Sequence, residues 1–528
     1  MKNSSGSSVR RALVLAALLG AVAGRAHAGV AEDGLACLER ADLACAERAL
    51  AGGASGAAGE LLAARVAFHR AEFETARTRM KALAAAHPED KSLVDEHAHV
   101  EATVEAAAGF VVERRGDVEV RYLPGIDRVL VDECIETLQA SHDRIAPLLG
   151  GAPPIPVRVE LYPTADRFIA ASGLPAEAVR TTGVVALSKW DRLLITSPRA
   201  LGRGYPWRDT LAHEYIHLVV AWRSGDRAPV WLQEGIARSH EPLWARDDFP
   251  PMAPTAQSLL AKALAKNGLV PLARMHPSMA YLDSAEEAAL AFAQVSTMVE
   301  HLRGVAGTRA VADVLARVRD GMDALEAVAG VAGRTPDAFL ESWKGHLRGL
   351  SLVARQLAVA PTVLGASDDP FGEDPVLASR ADLAGHARLG DLLLARKHAE
   401  AALAEYHKAM PPDEPPSPTL VAREAQALLA LGRRDEAVSH LQDSVSVYPE
   451  FPLTRTTLAG LLRAQGRTRD ALAHYRAAAD VNPFDATVQG ALSDLHGAAG
   501  QPDLAARHAR YRRILDLGGE PPTHGASR

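Results

Sequence analysis

His213-Glu214-Tyr215-Ile216-His217 places two imidazoles four residues apart with a carboxylate beside the first. Leu211, Tyr215, Leu218 and Trp222 recur at steps of 4, 3 and 4, the spacing of one apolar helix face, and Gly225 follows where that helix would end. On such a helix His213 and His217 project side by side, so both rings can bind one metal ion. Glu214 points in a neighbouring direction, able to reach a metal-bound water without taking a coordination place. Zinc suits these donors: it accepts imidazole nitrogen and carboxylate oxygen, and as a catalytic ion keeps one place for water. The ion lowers the pKa of that water towards ~7. Glu214 is then placed to take the proton and hand it to a leaving amine.

A third protein ligand is required. A G-x-x-H continuation after the second histidine is absent, since Val220 and Arg223 occupy the relevant positions. Downstream, Ala228-Pro229-Val230-Trp231-Leu232-Gln233-Glu234-Gly235-Ile236-Ala237 reads as a new helix, with Pro229 in its first turn and Pro242 at its limit. Sixteen residues separate His217 from Glu234, room for a turn and a return helix, so Glu234 can close a His-His-Glu site.

HEYIH followed by WLQEGIA resembles the gluzincin zinc metallopeptidases, and in particular the peptidase-MA-like family of exported bacterial proteins, whose motif reads H-E-x-x-H with P-x-W-L-x-E-G-x-A after it. The likeness covers roughly 110–350, with Val157–Tyr162 as the family's early strand and Thr335–Leu347 as its closing helix. It implies an α+β thermolysin-like zincin catalytic domain, one Zn2+ ion on His213, His217 and Glu234, and Glu214 as catalytic base. One departure stands out. Where the family has a tyrosine in a stretch like A-Y-x-Q-S, this chain has Phe292 between Ala291 and Ala293, with Gln294 and Ser296 following. Tyr281, His276 and His301 are the other groups that could serve as oxyanion or substrate contacts.

The elements that must position these residues follow from hydrophobic period. Val118–Leu123 and Pro156–Tyr162 alternate like strands, and Asp127–Leu149 is a helical stretch carrying Cys134 as a small core residue. Gly183–Leu187 and Leu193–Thr196 read as a hairpin around Ser188-Lys189-Trp190-Asp191. The Gly183–Ala186 run is either an edge strand open to an extended peptide or an ordinary inner strand. From residue 207 the pattern is helical, so strands precede helices, as in an α+β domain.

The C-terminal third repeats. Gly432, Gly466 and Gly500 lie 34 apart, as do Ala437, Ala471 and Ala505, with Pro449 and Pro483 on the same step. Ala425, Ala459 and Ser493 keep it, and an earlier copy runs through Leu389-Gly390, Ala402, Tyr406 and Ala409. This resembles the tetratricopeptide repeat, an all-α helical solenoid in which small residues let antiparallel helices touch. Ala64, Ala67, Ala76, Leu83 and Pro88 give one weaker copy near the N-terminus.

The expected organisation is a signal peptide over 1–28, TPR-like helical hairpins over 30–108, the catalytic domain over 110–350, a Pro/Gly/Asp-rich linker over 356–382, a TPR solenoid over 383–517 and a disordered tail over 518–528. The leader follows from Lys2, Arg10 and Arg11, the apolar run Ala12–Gly24 and the small-residue site Ala26-His27-Ala28. It predicts export to the periplasm or beyond, with no membrane span afterwards. In an oxidising compartment Cys37 and Cys45 either bridge two short helices or stay as buried thiols. Three Cys in 528 residues exclude a Cys-rich metal framework, and a formal charge of −7 with mixed signs gives no basic stripe for nucleic acid.

Two functions follow. One is an exported zinc-dependent peptidase acting on a peptide or protein substrate, its repeats binding a protein partner or presenting that substrate. The alternative is a TPR scaffold whose zinc-binding peptidase-like domain is weakly active or inactive, a reading that Phe292 motivates.

Overall fold

The computed structural model describes residues 25–276, 278–279, 282–355, 357, 371–412 and 415–518. The charged start and apolar run of the expected leader lie outside them, as does the expected tail from 519. The chain divides into two compact units, 1–101 and 102–528.

The first unit is built from helix pairs: α1 (Arg25–Glu39) with α2 (Leu43–Ala51), then α3 (Gly56–His69) with α4 (Phe73–Ala86), followed by α5 (Lys91–Ala106), within which the division falls. Small residues mark the crossings: Ala64 and Ala76 are fully buried, and a Cβ on Gly34 of α1 would strike the Leu62 side chain of α3. Cys37 and Cys45 form a disulfide between α1 and α2, while Cys134 is free and buried.

The second unit opens with a five-stranded sheet, β1 (Val111–Arg115), β2 (Val118–Tyr122), β3 (Val157–Tyr162), β4 (Ala186–Lys189) and β5 (Arg192–Thr196), in the order β1-β2-β3-β5-β4. The β2-β3 and β3-β5 pairs are parallel, and the two outer pairs antiparallel. Helix α6 (Arg128–Arg144) links β2 to β3; α7 (Ala165–Ser172) and α8 (Ala176–Thr182) link β3 to β4. Val157, Val159 and Leu161 of β3 and Leu193 and Ile195 of β5 face the large core, while Tyr162 and Leu194 face a smaller one with Phe168 and Val179.

Two expectations shift here. Strand β1 (VVERR) has no alternating pattern because it lies at the sheet's margin with most of its residues exposed. The hairpin's first strand begins at Ala186 rather than Gly183, because Gly183, at φ 67°, ends α8. Trp190 and Asp191, both at φ 53°, make the tight turn that joins β4 to β5.

The helical half follows: α9 (Trp207–Ser224), α10 (Val230–His240), α11 (Pro254–Ala265), α12 (Ala285–Ala306), α13 (Ala310–Arg319), α14 (Ala324–Val331) and α15 (Pro336–Gly349). No helix among the described residues is long and apolar enough to cross a membrane. The solenoid comprises α16 (Ala381–Ala395), α17 (Ala399–Ala409), α18 (Pro418–Ala430), α19 (Arg434–Val447), α20 (Pro452–Ala464), α21 (Thr468–Ala479), α22 (Ala486–Ala498) and α23 (Pro502–Asp516).

The repeat's glycines have a different reason from its alanines. A Cβ on Gly432, Gly466 or Gly500 would meet nothing within 4 Å, but their φ angles of 77°, 76° and 72° lie in the left-handed region. They turn the chain between paired helices and do not pack against one. Lys397 (φ 65°) makes the same turn in the first pair without glycine. Ala425, Ala437, Ala459 and Ala471 are fully buried at the crossings.

Part of the expected linker is not one. Gln356 and 358–370 lie outside the described residues, but Phe371 and Leu377 are buried in the solenoid core, and the buried Asp374 accepts hydrogen bonds from Ser417 and Thr419. Two apolar anchors in a turn-rich stretch leave no helical period to read. The solenoid also joins the large core: Tyr511 and Ile514 of α23 are part of it, and Tyr511 donates to Asp132 of α6 at 3.0 Å. Near α9, the Tyr205 N–H donates to Val481 O at 3.1 Å, at a close approach where a Cβ on Gly204 would collide with that carbonyl.

Candidate metal centre

Helix α9 crosses the core with Leu211, Ala212, Tyr215, Ile216 and Val219 fully buried, and His213, Glu214 and His217 lie largely buried among them. It ends at Gly225 (φ 62°), where Asp226 N–H closes onto Ala221 O at 2.7 Å. The chain returns as α10, anchored by buried Trp231, Leu232, Ile236 and Ala237. A Cβ on Gly235 would lie 2.6 Å from Val295 O of α12, so this glycine lets α10 seat closely and fixes the depth of its neighbour Glu234.

The two helices bring His213, His217 and Glu234 together, with one ligand atom from each lying within 4.8 Å of the others. The two Nε2 atoms are 3.0 Å apart, and Glu234 oxygens lie 3.2 Å from His213 Nε2 and 3.7 Å from His217 Nε2. Neighbouring side chains orient the two rings. His213 Nδ1 lies 2.7 Å from Glu241 Oε2, so the ring donates there. Gln233, whose amide nitrogen donates to Ala228 O at 2.7 Å, also hydrogen-bonds the His217 side chain. Each Nε2 atom thus faces the other ring and the Glu234 carboxylate, a donor set of the kind that can hold one divalent cation.

The carboxylates act unequally on the two rings. Burial disfavours charge on His213, but hydrogen bonds and charge from Glu234 and Glu241 outweigh it and push the pKa to about 10. Burial dominates at His217 and lowers it to about 4. Glu234 is held down to about 2, because the two histidines more than offset its burial. Glu214 is pushed up to about 7 by burial, opposed by His213, reinforced by Glu234 and opposed by a hydrogen bond with the Ser188 backbone on β4. Glu214 thus rests against β4, the strand that ends the sheet order.

Residues near this site that spacing alone did not assign include Glu241, Gln233 and Arg238. Glu241 opens a 3-10 turn (Glu241–Trp244) directly after α10. Asp209, another acid near in sequence, instead accepts from the Trp244 indole at 2.6 Å. Arg238 lies one turn beyond Glu234. Phe292 lies with its ring 5.2 Å from the Arg238 guanidinium. His276 is exposed at the end of a short 3-10 turn, His301 is bonded to Ser342 Oγ at 3.0 Å between α12 and α15, and Tyr281 lies outside the described residues.

Residues 137–349 match the Peptidase MA superfamily, and residues 428–495 match the tetratricopeptide repeat. The chain therefore carries a Peptidase MA superfamily domain beside a repeat array of the kind that serves protein interaction. Among solved structures it is similar to MamA (13% identity over 27% of this chain and 82% of that one, TM-score 0.24) and to YrrB, described as a TPR protein with an unusual peptide-binding site (16% identity, 28% and 72%, TM-score 0.22). No curated protein matches the chain.

Proposed function

We propose that this chain is an exported zinc metallopeptidase with a thermolysin-like catalytic domain. The observation that carries this is the convergence of two imidazole nitrogens and the Glu234 carboxylate at 3.0–3.7 Å, with Glu241 holding the outer nitrogen of His213. This donor set fits zinc, and carboxylate support for a ligating histidine is a recurring feature of such sites. Bound there, the ion would polarise a carbonyl and acidify water.

The chain's own residues supply the rest. His213, His217 and Glu234 hold the ion. Glu214, buried beside them, takes a proton from the attacking water and returns it to the departing amine nitrogen. The Leu211-Tyr215-Leu218 face of α9 and the Gly235 contact keep both helices rigid. The repeats present a substrate or bind a protein partner. The leader-like first residues support export, as does the Cys37–Cys45 disulfide, a bond that persists in oxidising compartments.

Phe292 favours a second reading, in which the domain binds zinc but turns over little and the repeats carry the function. A peptide-library digest with and without chelator separates the two. The peptidase reading expects chelator-sensitive cleavage, with Glu214→Gln keeping its zinc while turnover falls about 10²–10⁴-fold. A zinc-loaded chain that cleaves nothing, or a Glu214→Gln variant as fast as the parent, would overturn it.

A further inference from the structure

On the basis of the metal centre proposed above, we infer that Arg208 and Trp244 are positioning residues through which the repeat array holds Glu241 against His213, so that the site's affinity for its ion depends on the array. Glu241 supports His213 from a four-residue turn in which only Leu243 is buried, and Arg238 draws on the same carboxylate at 3.4 Å. The turn is therefore placed more by tethers than by its own packing. Two of these run to one face of α9. The Glu241 carboxylate meets His213 at 2.7 Å, and the Trp244 indole donates to Asp209, four residues earlier on the helix, at 2.6 Å. With the Trp244 ring displaced, the turn can pivot away from α9, and Glu241 is free to swing towards Arg238.

The array reaches that ring through Arg208. Its guanidinium lies over the Trp244 ring, 4.1 Å from the ring centre. Its Nε donates to Thr137 of α6 at 2.9 Å, and a terminal nitrogen donates to Asp480 at 3.4 Å. Arg144 of α6 donates to the Trp244 carbonyl at 3.2 Å, which anchors the backbone but leaves the ring to Asp209 and Arg208. Asp480 directly follows α21, and its neighbour Val481 accepts the Tyr205 N–H at 3.1 Å. The N–H groups of Gly202 and Arg203 both donate to Glu373 at 2.8 Å, within the segment that Phe371 and Leu377 anchor in the solenoid core. The array thus grips the chain from 202 to 208, the entry to the helix that carries both histidines. One of those grips ends on the ring that fixes the turn.

The test reads metal affinity and needs no substrate. Zinc Kd is measured by chelator competition on the full mature chain for Arg208→Met, Asp480→Ala and Tyr511→Phe, the first two also in the Glu241→Gln background. Asp480 is 44% exposed, so its variant carries the test even where Arg208→Met fails to fold. The inference predicts a Kd raised about 10-fold in Arg208→Met and about 3-fold in Asp480→Ala, with no further rise from either once Glu241→Gln is present. Tyr511→Phe, which removes a different contact of the array with α6, should leave Kd unchanged. An unchanged Kd in Asp480→Ala or in a folded Arg208→Met, an equal rise in the Glu241→Gln background, or a rise in Tyr511→Phe matching that of Asp480→Ala would each overturn it while the metal centre stands. A parent chain that takes up no zinc would remove the metal centre and this inference together.

Discussion

The second unit contains two buried histidine pairs, and the contrast between them defines the site. In the solenoid, His496 and His508 stack in parallel with ring centroids 5.2 Å apart, and each has a glutamine oxygen on Nδ1: Gln501 at 2.6 Å and Gln489 at 2.7 Å. Burial, with the charges of His496 and Arg507 adding to it, pushes His508 down to about 3. On α9 and α10, His213 and His217 meet edge to face at 4.7 Å, ringed by Glu214, Glu234 and Glu241. The imidazoles are the same, but neutral amides flank one pair while carboxylates surround the other. A close pair of histidines is therefore no metal site by itself; a third donor converging on both, as Glu234 does, makes a candidate.

That contrast can be broken at Glu241. Glu241→Gln makes the His213 surroundings resemble those of His508, and should raise the zinc Kd about 10- to 100-fold, read by competition with a calibrated chelator. An unchanged Kd would mean that the carboxylate merely caps the turn after α10.

The solenoid pair makes an opposite, smaller prediction with pH. His508 has a folded pKa of about 3, below its unfolded value of ~6.5, so the unfolded state binds more protons between those limits. The stability from keeping this ring neutral is complete above ~6.5 and is lost as pH falls towards 3. In His508→Gln, denaturation midpoints should therefore fall less steeply on acidification, by up to ~1.4 kcal/mol per pH unit, while zinc content stays unchanged. Curves parallel to the parent's would show that His508 is not held neutral.

The smallest effect concerns how the solenoid is held. Tyr511→Phe removes one donor from the buried Asp132, which keeps Arg115 at 2.6 Å and Arg510 as partners. About 1 kcal/mol of stability should be lost, seen as a small drop in thermal midpoint.

What the amino-acid order reveals depends on how local each feature is. The His213–His217 pair was legible because a four-residue helical step is fixed by geometry, and Glu234 because W-L-x-E-G-x-A follows at a workable distance. Glu241 and Gln233 were not assignable, since the direction of a return helix decides which of several nearby acids and amides meets an imidazole. Asp209 and Glu241 look equivalent in sequence, yet one holds Trp244 and the other His213. The 34-residue step was plain, but the reason for its glycines was not: Gly390 is excluded from a side chain by the Tyr406 ring, whereas Gly432 serves only its backbone angle. Phe371 and Leu377 were hidden because two buried residues among turns produce no period.

The central claim is that His213, His217 and Glu234 on α9 and α10 hold one divalent ion. Elemental analysis of the dialysed mature chain beside Glu234→Ala tests it most directly. The account predicts close to one zinc per parent chain and almost none in the variant. A folded parent without zinc, or a Glu234→Ala chain that keeps its full complement, would contradict it.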